Sequence, residues 1–574
     1  MRIFFILSAF PLFLTAQTKQ KKLLRVNAGA DTTIPIACRT GITVNCTVYG
    51  GDGVVTAYRW TKISGPGVQL IEGKTRALAT ITGLQKGVYY FSITITDGQA
   101  NTAADTIMIT ARLPLNHTYN QHSGAPVITA GSTQPALQGK DTITVTGIFE
   151  ELSLQGLDGQ GCEIVIDARG AVQTSPSRFH QPEWFDLHFV KLLGLKSYNW
   201  FGTIKASYYI NDFIIESCRF INPPGQYKNQ PLLQFDNASY RQMIFKDNKQ
   251  QTFYNNKIIR SRIEGFQDIA PVIFGSYWSR GTPEINRSIF LDGEMYLDTI
   301  RNITNTNSAI NVVSGTGFNM KIHDCVLDST EANPGARRNN HAAEVLWYGS
   351  IDFYNNRMSN NYAAALRSIA LGWTGLPGYR DASVKMYNNI IHKQLSYSAF
   401  EVGRNGAGGR DSAHGFLPIP CYCINNTVDS TVRNSYNGDY YGYVLDIVNT
   451  GLDNITHTDS VFCFNNVVAD PEYDRAYDSA GRRYVVAIVS KAPTELAMGD
   501  NKVFRTFSKT VFTSARHFAP ASGSPLIDKA PREFNFRKTD INGHGKTGKT
   551  FDLGAVEYSR LIMEDKKPPG RKKK

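Results

Sequence analysis

The sequence predicts an all-β chain: a solenoid of short strands preceded by a small β-sandwich. Three observations predict it. One six-residue phrase returns eight times between about residue 210 and residue 470, its copies 31 to 40 residues apart. Elsewhere apolar residues alternate in short runs separated by Gly-rich turns. No long segment repeats its apolar residues at the helical period.

The copies begin with Ile215–Phe220, Phe253–Ile258, Glu284–Ile289 and Ile322–Leu327. They continue with Phe353–Met358, Met386–Ile391, Cys423–Val428 and Cys463–Val468. The sixth position is apolar throughout, and the first is apolar in all but Glu284. Two apolar positions flanking a polar turn fit two short strands meeting at a corner. A fixed core with variable spacers describes stacked coils whose loops leave one side. The fourth position reads Cys218, Asn256, Arg287, Cys325, Asn356, Asn389, Asn426 and Asn466. An Asn there suits an awkward corner backbone and can pass amide hydrogen bonds to the next coil, about 4.8 Å away. Asn256, Asn356, Asn389, Asn426 and Asn466 are therefore expected in one inward ladder. These residues resemble the right-handed parallel β-helix of the pectate-lyase-like superfamily, over roughly residues 135 to 560.

In chain order, Met1-Arg2, the apolar run Ile3 to Leu14 and Thr15-Ala16-Gln17 read as a signal peptide, residues 1–16. The expected product is secreted: extracellular, periplasmic or at the cell surface. No later segment is apolar enough to cross a bilayer. Residues 25–112 carry alternating runs such as Thr43–Val48, Ala57–Lys62, Leu78–Ile81, Tyr89–Thr96 and Thr106–Thr110. The phrases from Tyr58 to Pro66 and from Gly87 to Asp97 resemble the PKD-like immunoglobulin fold, with Trp60 in its core. That resemblance implies a spacer or weak binder of glycan or protein. Residues 113–134 read as a linker. Residues 135–560 read as the β-helix with caps at both ends, the second from Ser524-Pro525-Leu526-Ile527-Asp528 to Asp552–Tyr558. Residues 561–574 form a basic tail expected to be disordered.

The net charge of +12 does not argue for nucleic acid. Lys566, Lys567, Arg571, Lys572, Lys573 and Lys574 sit in that tail, and Lys19, Lys21 and Lys22 follow the leader, which leaves the body near balance. Eight cysteines in an exported chain permit disulfides. Cys38 and Cys46 are spaced to close a hairpin, and Cys423 and Cys463 share a column as either a bridge or two core residues. No Cys/His spacing suggests zinc.

Chemistry is expected on a further strand of each coil. Between inward apolar neighbours, the outward residues are Gln234, Ile273, Asn311, Glu344, Arg367, Glu401 and Asp446. Glu344, Arg367 and Glu401 then share a solvent-facing column, a guanidinium between two carboxylates. A lyase must neutralise a uronate, by Arg or by Ca²⁺, and move a proton. A hydrolase needs two carboxylates at a set separation. A surface salt ladder would need neither and would be worth little. His341 precedes Glu344, and Arg404 and His414 follow Glu401 in a Gly-rich insert. Trp373 and Tyr379 lie in the insert after Arg367 and suit sugar stacking. The expectation is a monomeric protein engaging extracellular polysaccharide. Arg367, Glu344, Glu401, His341 and His414 are its candidate catalytic residues. Asn311, Arg404, Asp446, Trp373 and Tyr379 are its candidate binding residues. A non-catalytic surface or matrix binding protein is the alternative.

Overall fold

The computed structural model describes residues 23–556 apart from 37–40, 68, 121–125, 134–135, 175–182, 199–203, 222–232, 236–250, 266–271, 276–287, 292, 305–307, 314–318, 332–340, 347–349, 361–363, 371–382, 394–397, 406–418, 430–442, 451–459, 470–484, 489–491, 505–510, 514–517, 531–535, 537 and 543–549. The expected leader and basic tail lie outside the described residues. The chain divides into two compact units, Met1–Leu115 and Asn116–Lys574.

The first unit is a β-sandwich. Thr32–Pro35, Thr102–Arg112, Gly87–Asp97 and Val55–Ser64 form one sheet, and Gly41–Asn45, Leu78–Thr82 and Leu70–Glu72 the other. Period-two alternation along Gly87–Asp97 buries Tyr89, Phe91, Ile93 and Ile95. Trp60 is buried among them, and its indole N–H donates to the Arg76 carbonyl at 3.0 Å, so the ring enters the core with its polar atom satisfied. The Tyr89 hydroxyl donates to the Gln85 carbonyl at 2.9 Å. At the far end of that strand, Asp97 accepts the amides of Gln99 and Asn101 and closes the turn. These hydrogen bonds, that from the Asn101 side chain foremost, hold its carboxyl below the usual range. The unit has its own closed core, so a chain of residues 25–112 is expected to unfold with a single cooperative thermal transition. A broad, featureless melt of that segment would show that it borrows stability from elsewhere.

The second unit is a parallel β-helix. Its 35 strands form one continuous sheet, and strands from successive coils pair in parallel. One coil contributes Ser350–Tyr354, Arg357–Ser359 and Leu366–Ala370. These pair with Val384–Tyr387, Ile390–His392 and Phe400–Asn405 of the next coil. Ile351 and Phe353 point into the core while Asp352 between them does not, and the same alternation repeats along the solenoid.

The corner between the first two strands of each coil carries the Asn ladder. The amide nitrogens of Cys325, Asn356, Asn389, Asn426 and Asn466 donate in turn to Oδ1 of Asn356, Asn389, Asn426, Asn466 and Asn501, at 2.9–3.1 Å. Each of these Asn side chains also donates from Nδ2 to a carbonyl one coil back, as Asn389 does to Phe353 at 3.0 Å. The left-handed residue is the third of each phrase, not the fourth: Ser217, Arg260, Leu297, Asp324, Asn355, Asn388, Asn425, Asn465 and Asp500 all have φ of 51–61°. The fourth position therefore serves the ladder through its side chain and not through its backbone conformation.

Two of the eight phrases are out of step with the coils. Ile215 pairs with Ile258 and Phe220 with Ile263, so the corner after Ile215–Phe220 is Ile258–Ile263 and not Phe253–Ile258. Asn256 sits one corner earlier, where Oδ1 accepts the Phe213 amide at 3.2 Å. The following corner is Met295–Ile300, because Met295 pairs with Ile258 and Ile300 with Ile263. Ile289 lies on another strand, opposite Thr252. The pattern apolar-x-x-polar-x-apolar occurs at both corners of the early coils. Composition alone favours the Asn-Asn pair; hydrogen-bond register decides otherwise. The rungs below Cys325 are accordingly Asp298, Ser261 and Cys218. The Cys218 amide donates to Ser261 Oγ at 3.2 Å, and the Ser261 amide to Asp298 Oδ1 at 2.7 Å. Asn501 extends the ladder one coil past the eighth phrase.

Asn389→Leu is expected to destabilise by about 1–3 kcal/mol, since it strands the Asn356 amide and the Phe353 carbonyl in the core. A thermal midpoint unchanged from wild type would show that the ladder is not a stabilising element.

Both ends differ from expectation. The stretch read as a linker, 113–134, contains two strands, Asn116–Asn120 and Val127–Thr129, which pair in parallel with Thr142–Phe149 and Ser153–Asp158. Polar sequence hid them, because the first coil shares a sheet face with only one neighbour. The closing motif lies along the side of the coils. Phe512, Phe518, Leu526, Leu553, Ala555 and Val556 cluster with Ile390, Val467 and Ala469, and the Ala555 amide donates to Thr427 Oγ1 at 3.0 Å. Cys46 is a free thiol, which excludes a Cys38–Cys46 bridge. Cys423 and Cys463 are register partners but remain free, buried thiols, the core-residue alternative.

Candidate active site

The third strand of each coil builds the candidate site. Gln234 pairs with Ile273, Ile273 with Asn311, Asn311 with Glu344, Glu344 with Arg367, Arg367 with Glu401, and Glu401 with Asp446. Every residue of the expected column is therefore in register on consecutive coils. Period two explains it: Phe400 and Val402 on either side of Glu401, and Leu445 and Ile447 beside Asp446, are buried in the core cluster.

The column is not open to solvent at its upper end. Glu401 is 5% exposed and Asp446 is 1% exposed. Period two selects the face that a residue occupies; what lies over that face is a tertiary matter. Arg367 Nε lies 3.0 Å from Glu401 Oε1, and the guanidinium side chain retains 24% exposure. Burial pushes the Glu401 carboxyl up, with the Arg367 charge opposing the rise. Asp446 Oδ1 accepts a hydrogen bond from Ser398 Oγ at 2.5 Å. Ser398 is itself fully buried. The surface salt ladder weighed above is thus excluded for Arg367 and Glu401, whose pairing is largely desolvated.

The other candidates divide by position. Asn311, Glu344, His341 and Arg404 lie on the expected strands, with His341 opposite Ser308 and Arg404 opposite Asn449, and only their backbone positions are described. Trp373, Tyr379 and His414, with the inserts 371–382 and 406–418, lie outside the described residues. Among the described residues no three His, Cys, Asp or Glu side chains converge on a point that would hold a metal ion. Ser398 escaped the sequence reading because it precedes its strand and meets Asp446 only through the stacking of coils.

Chemically, the arrangement offers a carboxyl with a raised proton affinity beside a cation, and a second carboxylate one coil above it. A carboxyl of the first kind can donate a proton near neutral pH, and the second is oriented by a hydroxyl.

Residues 28–111 match a PKD domain family, that of the KIAA0319-like proteins. The first unit is a PKD domain. Among curated proteins, the chain is 26% identical over 134 residues to the Dyslexia-associated protein KIAA0319 homolog of Rattus norvegicus, covering 23% of this chain and 12% of that protein. The human Dyslexia-associated protein KIAA0319 is 27% identical over 96 residues, 17% of this chain and 8% of that protein. The chain thus spans about a tenth of the length of these relatives. Among solved structures, the PKD domain from KIAA 1837 protein is 25% identical, with a TM-score of 0.14, over 15% of this chain and 85% of that one. The family 28 exopolygalacturonase of Yersinia enterocolitica overlays 84% of this chain and 98% of its own, at 10% identity and a TM-score of 0.26. The β-helix assignment made above rests on the strand register.

Proposed function

We propose that the PKD domain precedes a carbohydrate-active β-helix that engages an extracellular, uronate-containing polysaccharide along the Asn311–Asp446 column. One observation carries this reading: five polar or charged residues, Asn311, Glu344, Arg367, Glu401 and Asp446, occupy consecutive in-register rungs on one face. A periodic polymer is matched by a periodic row of polar groups about 4.8 Å apart. Arg367 supplies the positive charge that a uronate requires, and Glu401, with its raised proton affinity, supplies the proton for the departing sugar oxygen. Lyase chemistry fits this pairing of a cation with a proton donor.

The near-complete burial of Glu401 and Asp446 favours a second reading, in which the column braces a non-catalytic binding scaffold. The two separate in one assay. Pectate, alginate and glycosaminoglycans are offered to the full chain, and unsaturated product is followed by absorbance while binding is followed by calorimetry. Turnover that Glu401→Gln removes, with binding retained, supports the lyase. Binding without turnover supports the scaffold, and neither on any acidic glycan rejects both.

A further inference from the structure

A second polar column runs along the end of the middle strands, away from the one above. Arg301 pairs with Asp328, Asp328 with Ser359, Ser359 with His392, and His392 with Asp429. Ser, His and Asp thus occupy three successive rungs in that order. The His392–Asp429 contact is made: Nδ1 of His392 bonds Oδ2 of Asp429. The Asp429 side chain is 3% exposed and the imidazole 34% exposed, so a buried carboxylate orients a ring that reaches solvent. With Nδ1 taken, Nε2 has no hydrogen-bond partner among the described residues. In an imidazole, Nε2 lies on the edge opposite Nδ1, and here that edge faces the rung of Ser359. Ser359 Oγ donates to Asp328 Oδ1 at 2.6 Å. The register sets Ser359 between Asp328 and His392, so rotation about χ1 exchanges one neighbour for the other. The Asn360 side-chain amide, which donates to the same Asp328 oxygen at 3.1 Å, adjoins the hydroxyl and carries a second N–H for a developing oxyanion.

We propose that Ser359, His392 and Asp429 form an acyl-transfer triad, resting in an off state with Ser359 latched to Asp328, and that its substrate is an O-acyl ester. Ser359 Oγ attacks the acyl carbon while its proton passes to His392 Nε2. The ester C–O bond breaks, and the leaving alcohol takes that proton from His392. Water, deprotonated by His392, then releases the carboxylic acid and restores the serine. Asp429 stays ionised and holds the ring. An acylated sugar hydroxyl as the natural carrier of the ester rests on the polysaccharide reading above; the acyl chemistry does not.

The test uses the full chain and two probes, a fluorophosphonate and p-nitrophenyl acetate. The phosphonyl adduct is expected on the Ser359 peptide by mass spectrometry, and Ser359→Ala abolishes it. His392→Ala is expected to slow both labelling and acetate release by at least about 100-fold. Asp328→Ala, which frees the hydroxyl from its latch, is expected to speed both. Circular dichroism confirms that each variant is folded. No adduct on Ser359 in folded wild type and in folded Asp328→Ala overturns the proposal. So does labelling that His392→Ala leaves unchanged, because Ser359 is then a reactive surface hydroxyl without a base. Release of acetate from an acetylated polysaccharide is measured separately. Its absence alongside cleavage of p-nitrophenyl acetate leaves the triad standing and counts against the carbohydrate reading.

Discussion

Asp298→Asn is expected to raise the stability of the β-helix at neutral pH, by an amount on the order of 4 kcal/mol. Asp298 occupies a ladder rung whose later counterparts are Asn356, Asn389, Asn426, Asn466 and Asn501. It is fully buried, Oδ1 accepts the Ser261 amide, and Oδ2 has no hydrogen-bond partner among the described residues. Burial pushes its carboxyl up to about 8, against backbone hydrogen bonds from Ser261 and Tyr296 that lower it. Its titratable neighbours in the core are the thiols of Cys218 and Cys325, which burial also pushes up. The folded state therefore binds a proton that the unfolded chain releases near pH 4. Stability is fully present below that value and is lost as pH rises toward 8. Amide replaces carboxyl at nearly constant shape, so Asp298→Asn removes the charging penalty and supplies the N–H₂ that the later rungs use. Calorimetric melting between pH 4 and pH 8 checks this. Wild type is expected to lose stability across the window, and the variant to lose much less. Parallel pH profiles would show that Asp298 is not the group responsible.

Arg367→Ala is expected to destabilise the β-helix at pH 7 by about 3 kcal/mol, the lower end for removing one partner of a buried pair. Glu401 then keeps its burial and loses the cation 3.0 Å away that opposes the rise of its carboxyl. That carboxyl moves further up. Because it is raised in the folded state, the penalty is small in acid, where the group is protonated folded and unfolded, and grows with pH. Glu401→Gln in the same background is expected to recover most of the loss, since a neutral amide needs no counter-ion. Thermal midpoints of the two single variants and the double variant form the cycle. Additive losses would mean that the two side chains do not interact energetically. The loss also bears on function: activity missing in Arg367→Ala has to be read against its lowered stability, whereas Glu401→Gln is the cleaner probe of proton transfer.

Much of this protein was determined by the sequence alone. Alternation around Trp60 and along Gly87–Asp97 specified the PKD domain, because a half-buried strand must alternate. The recurring corner specified a solenoid of coils, and the strand between corners specified the outward column from Gln234 to Asp446 residue for residue. These are local periodicities, legible wherever one chemical environment forces one residue type. Tertiary structure decided the rest. Asn256 satisfies the same six-residue pattern as Asn356, and only the pairing of Ile215 with Ile258 assigns it to a different corner. The strand Asn116–Asn120 lacks an apolar pattern and is a strand because Thr142–Phe149 offers it a hydrogen-bonding edge. Glu401 reads as an exposed carboxylate beside Arg367, yet it is buried, and that burial sets its proton affinity. Ser359, His392 and Asp429 are more than thirty residues apart from one to the next, and coil stacking alone makes them neighbours. Register and burial depend on contacts between coils, and the loops between coils vary in length. No spacing along the chain therefore encodes those contacts, and they exist only once the coils are stacked.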